Sequence, residues 1–267
     1  MTLGVAGLGV AFGPRLALDG VDLEVPPGRI TAVVGGDGAG KTTLLRVMAG
    51  LVAPTKGTAR VPEKARLGYL PTRAGGFRDL TVEENLEFVA AVGRVPGAAA
   101  RAGTLLERTG LAPFRRRVAR DISGGMRQKL GVIMAMLPSP GLLVLDEPTT
   151  GIDPVSRSDL WRLIARAAAD GAAVLASSAY LDEAERAPWV LVLHEGRPLV
   201  AGPPDQVAAS LPGAVVEVAA PTDPARAWRH GARWREWRPG GGSGALAPRL
   251  EDVVIVASLA AGEGGPS

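Results

Sequence analysis

An α/β fold built on a parallel sheet is what this sequence predicts, and three observations carry the prediction. The stretch RITAVVGGDGAGKTTLLRVMAGL runs from an apolar strand through a glycine-rich loop into a helix. GLLVLDEPTTG sets a second apolar strand, residues 142–145, directly before two adjacent carboxylates. Residues 141–200 alternate strand and helix patterns, which implies parallel strands joined by crossover helices.

Taken in chain order, residues 1–30 read as strands of an antiparallel edge sheet. DGVDLEVPPGR alternates apolar and polar before a Pro-Pro-Gly turn. Residues 30–34 form a short buried strand, and residues 42–51 a helix that ends at Gly50. Residues 73–138 are helical: TVEENLEFVAAVG opens with a capping box, Thr81 with Glu84, and AAARAGTLLERTG stops at Gly110. After about Pro203 the composition changes. Trp228, Trp234 and Trp237 stand among Arg226, Arg229, Arg233, Arg235 and Arg238. Such a mixture suits stacking on nucleic acid or a membrane interface. The favoured reading is a small β annex whose tryptophans pack and whose arginines face solvent. PGGGSGALAP is a turn segment, and Arg115, Arg116 and Arg117 read as a solvated face.

The gross numbers bound the function. The chain has 267 residues, room for one large domain, or one domain with an annex, and 46% hydrophobic residues support a sizeable core. Cysteine is absent and histidine occurs only at 194 and 230, which excludes disulfides and thiolate or histidine metal sites. The longest apolar stretch, residues 131–145, is broken by Pro138, Ser139, Pro140 and Gly141, short of the roughly 18 residues a span needs. No basic stretch precedes the first apolar residues, so the expectation is a soluble chain without a secretory signal whose membrane role comes through a partner. A net charge of +3 gives little support to a nucleic-acid partner.

Gly35 to Thr42 spell GxxxxGKT between the strand and the helix, the context a P-loop requires. The glycines let the backbone curl so that N–H groups point at phosphate oxygens, and the helix N-terminus adds partial positive charge. The candidate nucleotide-binding set is Gly35, Asp37, Gly38, Ala39, Gly40, Lys41, Thr42 and Thr43. Lys41 is placed to reach the β- and γ-phosphates, and the Thr42 hydroxyl to ligate Mg²⁺. Asp146 fits the second Mg²⁺ partner and Glu147 the catalytic base that polarises the attacking water. The implied ligands are ATP and Mg²⁺.

Between these two motifs, ISGGMRQK resembles the signature of ATP-binding cassette (ABC) ATPases, and with the P-loop and LLVLDEP in this order it resembles that family over residues 1–205. The implied fold is a P-loop NTPase cassette. It has a RecA-like core, an antiparallel β subdomain and a helical subdomain over about 73–138, with residues 206–267 as a C-terminal accessory segment. The resemblance implies that Ser123, Gly124 and Gly125 close on the γ-phosphate held by another subunit. It also implies that Phe12 stacks on adenine, that the loop at Asp153 crosses a dimer interface, and that VLHEGRPLVAGPPDQV is the closing hairpin and helix. RTGLAPFRRR, EPTTGIDPVSRSDLW and SAYLDEAERAPW are similar to the nucleotide-binding domains of a ribosome-associated ATPase and of multidrug exporters. PRLEDVVIVASL resembles the tail of drug-exporter subunits, with Val254 in place of an aromatic.

Three positions depart from that family. Thr72 stands where it has a glutamine that senses Mg²⁺ and water, Ala179 stands where it has a histidine, and GGDG puts an acidic Asp37 in the phosphate loop. The resemblance implies an ATP-binding, transport-coupled ATPase subunit of an exporter, slow at its own site and peripheral on the cytoplasmic face of the membrane. Its partners would be a separate permease and a second cassette, identical or different. A ribosome-associated factor and a non-hydrolysing regulatory subunit are the alternatives.

Overall fold

The computed structural model describes residues 2–72 and 76–263. The chain opens with β1 (Leu3–Phe12) and β2 (Arg15–Val25), passes through β3 (Ile30–Val34) and α1 (Lys41–Met48), and returns in β4 (Lys56–Arg60). After β5 (Leu67–Leu70) come three helices, α2 (Val82–Gly93), α3 (Ala98–Thr109) and α4 (Gly124–Met136). Then follow β6 (Leu142–Leu145), α5 (Pro154–Ala169), β7 (Ala173–Ser177), α6 (Leu181–Ala184), β8 (Trp189–His194), β9 (Arg197–Gly202) and α7 (Pro204–Ala209). The last segment holds β10 (Ala214–Val218), β11 (Ala227–His230), β12 (Arg233–Arg238) and α8 (Leu250–Glu263).

The central sheet has the order β5-β6-β7-β3-β8-β9. Its first five strands are parallel and β9 closes one edge as an antiparallel hairpin with β8. The inner strands read as unbroken apolar runs because both of their faces are covered. Ala32, Val34, Val174 and Ala176 point into a core shared with α4 and α5. Val33, Ala173 and Leu175 point the other way, against Leu44, Leu45 and Met48 of α1 and Leu8, Val10 and Leu18 of β1 and β2. Helix α1 is therefore clamped between the parallel sheet and the small antiparallel sheet β2-β1-β4, which fixes the loop in front of it.

Strand β4 was not legible in the sequence. Its KGTAR is polar and mostly exposed, and it is a strand because the free edge of β1 supplies the pairing. The Thr81 capping box forms with both reciprocal bonds, Glu84 N–H to Thr81 Oγ1 at 3.1 Å and Thr81 N–H to Glu84 Oε2 at 2.7 Å. Residues 73–75, at the expected start of the helical segment, and residues 264–267, at the end of the accessory segment, lie outside the described residues. Arg115 is exposed and paired with Glu83, as a solvated face allows.

The accessory segment corrects one expectation. Tryptophans and arginines do not divide between a packed and a solvated side of the sheet β10-β12-β11. Alternation along β12 puts Arg235 and Trp237 on the same face, and both are buried. Arg235 Nη1 donates to both carboxylate oxygens of Asp252 in α8, at 2.6 and 2.7 Å. Trp237 Nε1 donates to the Pro212 carbonyl at 2.7 Å. On the other face Arg229 stacks over Trp234, 4.5 Å from its ring centre. A carboxylate from α8 makes burial of the arginine possible, and nothing in the β12 sequence announces it.

Candidate functional site

Tight backbone geometry builds the phosphate loop. Gly35 has φ 151°, and a Cβ there would sit 2.2 Å from the Leu193 carbonyl oxygen. Gly40, at φ 100°, caps α1, and a Cβ there would strike Leu18 and Ala17. Only glycine accepts these approaches. No side chain caps α1, so its first N–H groups are left to a ligand. Lys41 is buried, and its Nζ donates to the carbonyls of Gly35 and Gly36 at 2.8 and 3.1 Å, which holds the ammonium over the loop. Asp37 is exposed, so its charge is solvated rather than buried in the loop.

The loop opens on a cavity of about 890 Å³ lined by Phe12, Asp37, Gly38, Ala39, Gly40, Lys41, Thr42, Thr43 and Glu147. Gly35 stands just behind, through its bond to Lys41. The start of β2 (Arg15 to Ala17) and the β8–β9 turn (His194 to Gly196) also line it, and sequence reasoning missed both. Phe12 is 51% exposed, so its ring is free to cover a base instead of filling the core.

Asp146 lies at the carboxyl end of β6, fully buried, next to Glu147, which lines the cavity. Thr72 Oγ1 donates to its Oδ2 at 2.6 Å and Ser177 Oγ to its Oδ1 at 2.7 Å. Ser177 also accepts the Glu147 N–H at 2.9 Å. Glu147 has φ 50°, a left-handed conformation that a non-glycine residue adopts at a cost of about 1–3 kcal/mol, a form of strain that gathers at functional sites. Gln128 Nε2 reaches its carbonyl at 3.4 Å and Thr150 Oγ1 its Oε2 at 3.2 Å. Sequence reasoning misses Ser177 and Gln128. Ser177 sat in plain view, closing an apolar strand two residues before Ala179.

These groups suit MgATP. Each Asp146 oxygen keeps a lone pair after its single hydroxyl bond, and Thr42 sits in the first turn of α1 and lines the cavity. Among the described residues no group of three His, Cys, Asp or Glu could cage a metal. Mg²⁺ is usually bound through one or two carboxylates plus phosphates and water, and Asp146 supplies such a carboxylate.

Ser123, Gly124 and Gly125 do not line the cavity. Ser123 is the N-cap of α4 and its Oγ accepts the Met126 N–H at 3.2 Å. A Cβ on Gly124 would meet nothing within 4 Å, so the start of this helix is open. Asp153 caps α5 by accepting N–H bonds from Val155 and Ser156 at 3.0 and 2.9 Å. The Ser156 N–H is the main cause that holds the Asp153 carboxyl below the usual range. Ala179 is exposed just beyond β7, and its methyl can donate nothing.

Strand, glycine loop, helix and terminal carboxylates on a parallel sheet define a P-loop nucleotide-binding protein. The ABC transporter family profile matches residues 18–150. The chain is 43% identical over 205 residues to the probable multidrug ABC transporter ATP-binding protein YbhF of Escherichia coli, covering 72% of this chain and 36% of that one. It is 36% identical over 227 residues to the daunorubicin resistance ATP-binding protein DrrA3 of Streptomyces coeruleorubidus, covering 80% of this chain and 72% of the relative. A solved ATP-binding subunit of an ABC transporter superposes with a TM-score of 0.72 at 27% identity, over 78% of this chain and 92% of the other. The chain belongs to the ABC transporter ATP-binding family, and it resembles cassettes of the drug-exporter type. It spans about a third of the length of YbhF, the share being 36%.

Proposed function

We propose that this chain is the ATP-binding subunit of an ABC exporter, with a slow hydrolytic site of its own and a signature helix that completes a faster site on a second cassette. The carrying observation is how Thr72 and Ala179 are used. The Thr72 hydroxyl spends its only proton on Asp146, so it has none left to offer the attacking water. Ala179 offers no donor at all. The γ-phosphate side of the cavity thus keeps Glu147 but lacks the two orienting groups that the family supplies.

In this reading the loop amides and Lys41 bind the phosphates, Thr42 and Asp146 hold Mg²⁺, and Phe12 covers the base. Bound Mg²⁺ would neutralise charge on the β- and γ-phosphates. Glu147 accepts the proton of the attacking water, its carboxylate steadied by Thr150. Loss of one preorganised donor costs about 10²–10³ in rate, and two losses in one cluster add incompletely. The open N-terminus of α4, outside this cavity, supports a role for Ser123, Gly124 and Gly125 towards the nucleotide of another cassette.

No helix among the described residues is long and apolar enough to cross a membrane. In this reading a permease partner supplies the pathway, with this chain on the cytoplasmic face. Exposed Phe77, Phe88 and Val92 on the helical segment suit docking to it. The names of YbhF and DrrA3 support export of a drug-like compound.

The test is ATPase turnover of the purified chain beside its Ala179→His and Glu147→Gln variants. The expected result is slow wild-type turnover, raised at least tenfold by Ala179→His. Wild-type turnover at the enzyme median of about 10 per second, abolished in Glu147→Gln, would overturn the slow-site reading.

A further inference from the structure

The accessory segment has no part in the phosphate loop, the carboxylate pair or the signature helix, yet it reaches the nucleotide cavity. Ser258, on α8, lines that cavity together with Phe12, Arg15 and Leu16 of the first hairpin and with the β8–β9 turn. The phosphate end is already supplied with amides, Lys41 and Thr42, so the remaining wall faces the nucleoside.

Helix α8 is held there by a built attachment. Its Asp252 is buried against Arg235 of β12, and the Arg249 N–H adds a third bond to the same carboxylate at 2.8 Å. Val253 and Leu250 enter the main core, and Val256 packs with Val215 and Trp237 in a separate small core. The helix is therefore clamped between the cassette and the annex sheet, and its outward face at Ser258 is left exposed to the cavity. The Ser258 hydroxyl gives its proton to the Val254 carbonyl at 3.1 Å, which leaves its lone pairs to accept from a ligand. A ribose hydroxyl or an exocyclic base amine is the donor a nucleoside would bring.

We infer that α8 is a wall of the nucleotide site and that Ser258 is a nucleoside-binding residue, so that the annex serves to hold this wall in place. The inference rests on the reading of the cavity as an ATP site.

The full chain, titrated calorimetrically with Mg²⁺ and either ATP or inorganic tripolyphosphate, separates the two. Tripolyphosphate offers the phosphate loop its ligand and offers Ser258 nothing. Ser258→Ala is expected to weaken ATP about 3–10-fold, the worth of one hydrogen bond, and Ser258→Trp more, with tripolyphosphate unchanged in both. ATP binding unchanged in both variants, or tripolyphosphate weakened as much as ATP, overturns the inference while the ATP site stands. Lys41→Ala serves as the control. If wild type binds no ATP, or Lys41→Ala binds it equally well, the site reading falls and the inference falls with it.

Discussion

Replacing Asp252 by alanine is the most severe single test of how the accessory segment is held. The Asp252 side chain is fully buried and that of Arg235 is 5% exposed. Both carboxylate oxygens accept from one guanidinium nitrogen, and Arg235 Nε has no hydrogen-bond partner among the described residues. The alanine variant would leave a buried cation with neither counter-charge nor acceptor, which costs about 3–5 kcal/mol. It would also remove the acceptor for the Arg249 N–H at the start of α8. The exposed pair Arg120–Asp79, whose side chains are 57% and 86% accessible, is the internal comparison, and Asp79→Ala should cost no more than about 1 kcal/mol. Urea unfolding read by tryptophan fluorescence is the assay, because Trp228, Trp234 and Trp237 all lie in the accessory segment. Asp252→Ala should lower the midpoint sharply or split off an early transition. The pair Arg235→Met with Asp252→Leu should recover most of the loss, since apolar replacement removes the desolvation cost along with the attraction. A loss for Asp252→Ala no larger than that for Asp79→Ala would refute the argument.

Two further outcomes follow from the same geometry. Thr72→Val keeps the shape but leaves Asp146 with Ser177 as its one hydroxyl donor, so the Mg²⁺ concentration needed for half-maximal ATP binding should rise about 3–10-fold. Thr72→Ser should behave as wild type, and a fall in the Mg²⁺ requirement would count against a positioning role. The carboxyls of Asp153 and Glu84 are held below their ordinary values, mainly by the N–H of Ser156 and of Thr81 respectively. A depressed carboxyl stabilises the fold above its unfolded value of about 4 and loses that effect as pH falls through the folded value. Helices α5 and α2 should therefore fray at their N-termini below about pH 4, and in far-ultraviolet dichroism Asp153→Asn should show a shallower acid limb.

What could be read in the sequence follows from the range of the interactions involved. The glycine loop, the apolar strands β3 and β6 and the Thr81 capping box depend on neighbours within a few residues, and the structure places them where the pattern put them. Strand β4 escaped because its identity lies in its partner β1 and not in its own polar residues. The arginine of β12 that the pattern puts in solvent is buried for the same reason. Arginine reads as exposed until its carboxylate is found, here 17 residues away in another element. Thr72 shows the same limit within the site itself. Its identity exposed a missing glutamine, but only the bond to Asp146, 74 positions distant, shows that its proton is already committed. A hydroxyl free to turn would be a partial substitute for the lost side chain, whereas one fixed on the metal-binding carboxylate serves the binding of MgATP instead. This is why the proposal joins firm nucleotide binding to slow turnover rather than treating both as weakened together.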